Sequence, residues 1–340
     1  MKIIIYSQNI VSMDGVGNSS IYFMNLLKRF FDVLLVANYS NIKGVQNFEE
    51  YLKDHKPNNI LFYHYSIEDI NIKSLLELKF KKRIIYFHGI TPPKFLPNGS
   101  EIFNSCKKGL LDINLLFDFD LYISNSTESK NQFLNNLNSN FDTKKFINMP
   151  PIDMFSKNKK INRSDSLKSE LKFYYCGTII NHKNVNLLLN LFNNNTKNRI
   201  NLSIFTSNSK HDTFNFLGEE KYIEYLKNGI NFFHRLEDEK MNYHFQTMNC
   251  FITMSLHEGF CIPLFTAIDN FIPVLSFPLK CLEDYFPKEY KFISRVDNLV
   301  DIEKKYFYNL ENIDPFRYFI KEKAKSFTKT GFDLIFKIIE

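Results

Sequence analysis

"SLHEGFCIPLFTAIDN", residues 255–270, sets one carboxylate, Glu258, and one glycine, Gly259, between two apolar runs, the second carrying Pro263. The run that leads into it, CFITMS at 250–255, reads as a strand. The run that follows reads as a helix over 263–270, with Pro263 near the first turn, where a missing N–H costs nothing. Strand, loop and helix in that order put Glu258 at the carboxyl edge of a sheet. They also put the backbone N–H groups of Gly259, Phe260 and Cys261 at a helix N-terminus, which attracts anions. An acid beside an anion site suits a ligand that carries hydroxyls as well as phosphates, because an ionised carboxylate accepts O–H bonds while the helix end holds the phosphates. A capping acid in a connecting loop is the plainer reading of position alone.

The same alternation of short apolar runs and amphipathic stretches extends along all 340 residues, the pattern of parallel sheets covered by helices. In the first half, strands are expected near 2–6, 32–37, 59–63, 83–87, 120–124 and 145–149. Helices are expected near 18–30, 46–54, 71–79, 100–117 and 126–138. A stretch with prolines, charge and little periodicity follows and reads as a linker. Beyond it strands recur near 172–176, 200–206, 230–234, 250–255 and 272–277, with helices near 184–194, 219–228, 237–247 and 263–270. The expected organisation is an N-terminal Rossmann-like domain over 1–155, a linker over 156–170, a C-terminal Rossmann-like domain over 171–313 and a helical segment over 314–340 that can cross back. Ligands of such α/β sheets bind beyond the carboxyl ends of the strands, so a cleft between two facing domains is the expected site.

Composition narrows the function classes. Hydrophobic residues are 44% and charged residues 24%, ordinary for a globular protein, whereas 36 Phe and 18 Tyr with no Trp make aromatic rings the expected core filler. The formal charge is +6, and the Lys-rich runs at 79–83, 107–108 and 157–160 are short. They suit a solvated face, and leave room for a peripheral contact with an anionic membrane surface or a phosphorylated ligand. No zinc-finger spacing, basic helix or aromatic RNP-type pattern points to nucleic acid. Five cysteines without a C-x-x-C pair speak against a disulfide framework or a zinc site and for a reducing cytosol. MKIIIYSQNI lacks the pattern of a signal peptide, and no apolar run approaches the roughly 18 residues of a membrane span. The expected location is cytoplasmic, with any contact at the inner membrane face peripheral.

SLHEGFCIPLFTAIDNFIPVL resembles the S-x-H-E-G-F-C-x-P-L-x-E-A-M-x-x-x-x-P-V-x signature of retaining, family-4-type glycosyltransferases of the GT-B fold. YFHGITPP at 86–93, DLYISNSTESKNQF at 120–133, CGTIINHKN at 176–184 and NFFHRLEDEKMNYHFQ before the acid resemble further segments of that family, in its order. The resemblance implies a nucleotide diphosphate sugar as co-substrate, no cofactor, no metal, and a glycan, lipid-linked or protein acceptor. It implies that Glu258 binds donor-sugar hydroxyls, that Lys183 offsets the charge growing on the leaving diphosphate, and that His88 meets the sugar from the opposite domain. His64, at a similar strand end, is the neighbour most easily confused with His88. Gly15 and Gly17, in MDGVGNSS, match a loop that approaches the donor phosphates or the acceptor by its backbone. Asp118-Phe119-Asp120 spells D-x-D, but it straddles a helix end and a strand start, so a metal role is rejected.

Two positions depart from the family pattern. Thr178 stands where an arginine is usual, and Thr266 stands where a second glutamate usually grips the ribose. A threonine supplies only part of that hydrogen bonding and no charge. Asp269, nearly one turn further, is the one acid in position to compensate. Three functions are compatible with these residues: an active transferase, a non-catalytic binder of sugar nucleotides or glycans, and a GT-B epimerase acting on a nucleotide sugar.

Overall fold

The strand segments of this chain have almost no polar face. All six residues of Ile60–Tyr65 are buried, as are six of the eight from Ile3 to Ile10, the exceptions being Gln8 and Asn9, which is how strands read when helices cover both sides of a parallel sheet. The computed structural model describes residues 1–12, 14–137, 146–152, 170–193 and 200–340. The expected linker over 156–170 lies outside the described residues except for Glu170.

The first unit runs β1 (Ile3–Ile10), α1 (Gly15–Leu27), β2 (Val33–Ser40), β3 (Gln46–Asn47), α2 (Phe48–Asp54), β4 (Ile60–Tyr65), α3 (Ile72–Glu77), β5 (Lys82–Phe87), α4 (Glu101–Asp112), β6 (Leu121–Ser124), α5 (Thr127–Asn135) and β7 (Phe146–Asn148). Its seven strands pair in the order β3-β2-β1-β4-β5-β6-β7, every pair parallel. The second unit runs β8 (Leu171–Cys176), α6 (Val185–Asn193), β9 (Ile200–Thr206), α7 (Lys210–Leu217), α8 (Glu219–Lys227), β10 (Asn231–His234), α9 (Asp238–Phe245), β11 (Cys250–Thr253), α10 (Ile262–Asp269), β12 (Val274–Ser276), α11 (Leu299–Glu311) and α12 (Ile313–Ile339). Its sheet is β10-β9-β8-β11-β12, also parallel throughout. Two parallel sheets with helical crossovers are the two Rossmann-like units expected from the alternation.

Where the elements differ from expectation, caps explain the difference. Helix α1 starts at Gly15 rather than 18, because the Asp14 carboxylate accepts the N–H groups of Val16 and Gly17. Helices α7 and α11 were not expected, yet each opens on a reciprocal capping box, Ser209 with Asp212 and Asn298 with Asp301. The expected helix over 100–117 ends at Asp112 and tightens into a 3-10 turn over Ile113–Leu115. Among the described residues no helix is long and apolar enough to cross a membrane.

Helix α12 crosses back. Its first half, with Ile313, Phe316, Ile320 and Ala324, packs in the core of the second unit. Its last turns put Ile335 and Ile339 among Ile3, Ile5, Phe23 and Met149 of the first, and Phe336 against Phe30 and Phe31. Near its start Arg317 donates to Asp269 twice, from Nη2 to Oδ1 at 2.8 Å and from Nε to the backbone oxygen at 3.1 Å, with the guanidinium 4.2 Å over the Phe271 ring. Both partners are nearly buried, and removing one side of such a pair is strongly destabilising. Arg317→Met should therefore lower unfolding free energy by about 3 kcal/mol in a denaturant titration. Unchanged stability would show that apolar packing alone seats α12.

Candidate functional site

The loop after β11 brings Glu258 to the carboxyl edge of the second sheet, where its carboxylate meets Lys183. Lys183 Nζ donates to Glu258 Oε2 at 2.6 Å, and the side chains are only 20% and 10% exposed. Lys183 does not open a helix. It ends a single 3-10 turn, Asn181–Lys183, and Asn184 then takes a left-handed conformation, φ 53°, before α6 starts. Burial alone would raise the Glu258 pKa, but the Lys183 ammonium and a Ser255 hydrogen bond outweigh it and hold the carboxyl below its usual range. Burial would likewise lower Lys183, and Glu258 reverses it, so the lysine sits above its usual value. Both groups are therefore ionised at neutral pH.

The pair lies where the two units touch. A side chain at Gly259 would run into the carbonyl oxygen of His88, and Gly89, at φ 80°, faces the same spot from the first unit. Asn125 Nδ2 donates to that His88 carbonyl at 2.8 Å. Ser126 Oγ donates to the Gly259 carbonyl at 3.1 Å, Tyr285 OH donates to the Asn125 carbonyl at 2.8 Å, and the Thr127 N–H donates to Asp284 Oδ2 at 2.6 Å. Gln132 clamps the His88 loop through both Ile90 backbone groups, each at 2.7 Å. Sequence reading singled out none of Asn125, Ser126, Gln132, Asp284 and Tyr285. The first three sit inside the quoted DLYISNSTESKNQF stretch, whereas nothing local to Asp284 or Tyr285 announces a contact with a loop some 160 positions earlier.

The remaining expected site residues divide. Phe260 turns its side chain into the core, stacked on Phe265 at 4.3 Å, and the buried Cys261 thiol is engaged by the Glu258 carboxylate, so both can offer a ligand only backbone. Cys261 is left-handed at φ 66°, and α10 opens without a side-chain cap. Pro263 has no N–H and the Leu264 N–H donates to the Cys261 carbonyl at 3.0 Å, so in the first turn it is the Ile262 N–H, with the loop N–H groups before it, that another acceptor could take. Gly15 faces Ile262 of α10 across the cleft at contact distance. Gly17 does not join it: a side chain there would strike the Val11 backbone, and its N–H is already taken by Asp14, so this glycine serves packing rather than a phosphate. The Thr178 hydroxyl pairs with Ser207 Oγ at 3.0 Å. The Thr266 hydroxyl donates back to Ile262 O at 3.1 Å within its own helix. Asp269 is turned to Arg317 and does not replace the second acid. Asp118 is exposed, while Asp120 binds Lys82 and the Arg83 N–H, so the D-x-D carboxylates have separate surroundings.

Four histidines surround the cleft and all are buried: His64, His88, His182 and His257. His88 Nε2 lies 3.0 Å from His64 Nδ1. Desolvation pushes His88 down to about 3 and His182 and His257 down to about 4, and it lowers His64 as well. Such rings are neutral in the fold while the same residues in an unfolded chain gain protons near 6.5. Between about pH 6.5 and 4 the unfolded state thus binds more protons, so stability rises with pH there and falls on acidification, by up to about 1.4 kcal/mol per pH unit for each histidine. The Glu258 carboxylate acts in the same sense further down, since its stabilisation is lost as pH falls through its depressed pKa. Melting temperatures taken from pH 8 to pH 4 should drop steeply below 6.5. A flat profile would contradict buried neutral rings.

Residues 156–308 match the family model for glycosyl transferases group 1. HepE from Anabaena, in complex with UDP, shares the fold over 99% of this chain and 100% of that chain, at TM-score 0.68 and 11% identity. An E. coli trehalose-6-phosphate structure bound with UDP-2-fluoro glucose does so over 100% and 99%, at 0.68 and 10%. TarM aligns at 0.59 and 13% over 86% of this chain, which spans 57% of TarM's length. No curated protein sequence matches the chain.

Proposed function

We propose that this chain, whose residues 156–308 match the family model for glycosyl transferases group 1 and whose fold is shared over 99% of its length with a UDP-bound structure, is a GT-B glycosyltransferase that moves a hexose from a nucleotide diphosphate sugar to an acceptor hydroxyl with retention of configuration. The observation that carries the reading is the Lys183–Glu258 pair at 2.6 Å, beside the uncapped start of α10. A cation, orphan N–H groups and a carboxylate within one loop cluster match a ligand whose phosphates and hydroxyls are neighbours. The UDP and UDP-sugar held by GT-B neighbours support the same class of donor.

Each residue then has a definable task. An ammonium has three donors and Glu258 uses one, which leaves two for diphosphate oxygens. Glu258 keeps lone pairs on both oxygens for sugar hydroxyls, although it already accepts from Lys183 and Ser255. His88 meets the sugar from the first unit. As the bond from the anomeric carbon to the leaving phosphate breaks, Lys183 and the α10 N-terminus stabilise the growing charge, and the leaving phosphate takes the acceptor proton on the same face as the new glycosidic bond. No protein nucleophile and no divalent ion is required in this scheme. The acceptor, a glycan, lipid-linked or protein hydroxyl, would enter from the N-terminal unit, in the cytoplasm or at the inner membrane face.

Glu258→Gln should fold with lowered stability, because the buried Lys183 loses its counter-charge. It should still bind nucleotide diphosphate but lose most transfer, because charge-assisted bonds worth about 1.5 to 3 kcal/mol each become neutral ones. Product analysis with a panel of nucleotide sugars reads this, and near-normal turnover would remove Glu258 from the donor site.

Thr178 and Thr266, each in place of a charged residue, favour as a second reading a binder without turnover; a panel in which donors bind and no product forms would establish it. If the enzyme is active with one ribose contact missing, Thr266→Glu should tighten nucleotide binding by about 1.5 to 3 kcal/mol before reorganisation costs, since Asp269 is committed to Arg317 and does not crowd the new acid. Calorimetry showing no change would mean that the nucleotide does not lie along α10.

A further inference from the structure

The pairing of His64 with His88 carries more than proximity. His64 sits on β4 in an aromatic box, its ring 5.3 Å from Tyr86, 5.1 Å from Phe62 and 5.5 Å from Phe23. Its Nε2 is buried there with no hydrogen-bond partner. Its Nδ1 lies 3.0 Å from His88 Nε2 and 3.4 Å from Ser20 Oγ. The Ser20 hydroxyl hydrogen is already given to the Val16 carbonyl at 2.9 Å, so toward His64 the serine can only accept.

Two neutral rings sharing one hydrogen bond need the proton on one side of it. Were the proton on His88 Nε2, His64 would carry its own on Nε2, an unpaired donor in an apolar box, and Nδ1 would face the Ser20 oxygen lone pair to lone pair. Unpaired buried donors are the costlier orphan, and like dipoles repel. With the proton on His64 Nδ1, one N–H serves both His88 Nε2 and Ser20 Oγ, and only an acceptor is left unpaired. We infer that His64 is a positioning residue: its Nδ1–H occupies His88 Nε2, fixes His88 as the Nδ1–H tautomer, and makes His88 a hydrogen-bond donor alone toward the donor sugar.

The inference rests on the donor-site reading above and sharpens it. A ring whose Nε2 is held by a neighbour's N–H cannot take a proton there, and its Nδ1 already bears one. His88 therefore cannot serve as a general base for the acceptor, and it offers a fixed N–H to a sugar oxygen.

Long-range nitrogen-15 NMR of histidine-labelled protein, with the His88 signals identified by their loss in His88→Gln, reads the tautomer without any substrate. A protonated Nδ1 and a bare Nε2 on His88 are expected; the reverse assignment overturns the inference whatever the enzyme's activity. His64→Phe keeps the aromatic box and removes the N–H, so His88 should shift toward its other tautomer and kcat should fall by at least about tenfold, with nucleotide diphosphate affinity unchanged. His64→Asn, whose side-chain amide overlays Nδ1, should restore the His88 signals and most of kcat, and it covers the case of a His64→Phe chain that does not fold. Wild-type tautomer or turnover in His64→Phe would reduce His64 to core packing. A wild-type protein that shows the expected tautomer but turns over no nucleotide sugar would instead sink the transferase reading and leave the histidine assignment standing.

Discussion

Everything in the cleft depends on a contact between two backbones. The His88 carbonyl of the first unit lies so close to Gly259 of the second that no side chain fits between them. That approach brings the carboxyl ends of two parallel sheets together, and with them the loops that carry His88, Lys183 and Glu258. A glycine in a loop that precedes an anion-attracting helix invites a phosphate-binding explanation, yet here its missing side chain makes room for protein. Asn125, Ser126 and Tyr285 then satisfy the carbonyls that such proximity would otherwise leave facing one another. At these backbones the junction is polar, its carbonyls met by side-chain donors.

The electrostatics of the site follow from its dryness. A buried carboxylate and a buried ammonium each cost several kcal/mol to desolvate, and each is kept ionised by the other. Around them the histidines surrender charge instead: desolvation lowers all three, and for His182 and His257 the opposing pull of the Glu258 carboxylate is countered by the Lys183 ammonium. The result is a cleft with one strong cation, one strong anion and several neutral donors. In the proposed reading a diphosphate sugar would exploit that division, its phosphates on Lys183 and its hydroxyls on Glu258. The absent charges at 178 and 266 shift weight onto this pair and onto the backbone at the start of α10.

How much of this could be read beforehand differs by residue, for physical reasons. Strand existence was legible except for the two-residue β3, which lies where a helix over 46–54 was expected, since the other strands are short, largely buried apolar runs. Helices α7 and α11 escaped because their apolar faces are broken by polar residues, while the signal that marks them is local: serine or asparagine three residues before an aspartate. Glu258 and Lys183 were legible because their residue types, loop positions and family likeness agree. Their direct pairing was not, as 75 positions separate them and no local rule predicts contact across a sheet edge. His64 shows the opposite failure. Read along the chain, it is a rival to His88 for one role; only strand pairing, which sets β4 beside β5 in register, turns the rival into a partner.

That register has a wider consequence. Adjacent parallel strands place residues at the same height on one face of the sheet, and His64 pairs with Tyr86 while His88 lies just past the strand end. The sheet therefore supplies a second layer beneath its own carboxyl edge without any dedicated loop. The same economy appears on the other side of the cleft, where α10 offers its N-terminus to a ligand and its last residue, Asp269, to Arg317 of the crossing helix. One short helix is thus fixed at one end by the element that reaches into the first unit and is without a side-chain cap at the other. Any displacement of the first unit that moves α12 pulls on α10, so the anchoring of the terminal helix and the position of the α10 N-terminus at the proposed donor site are a single mechanical problem.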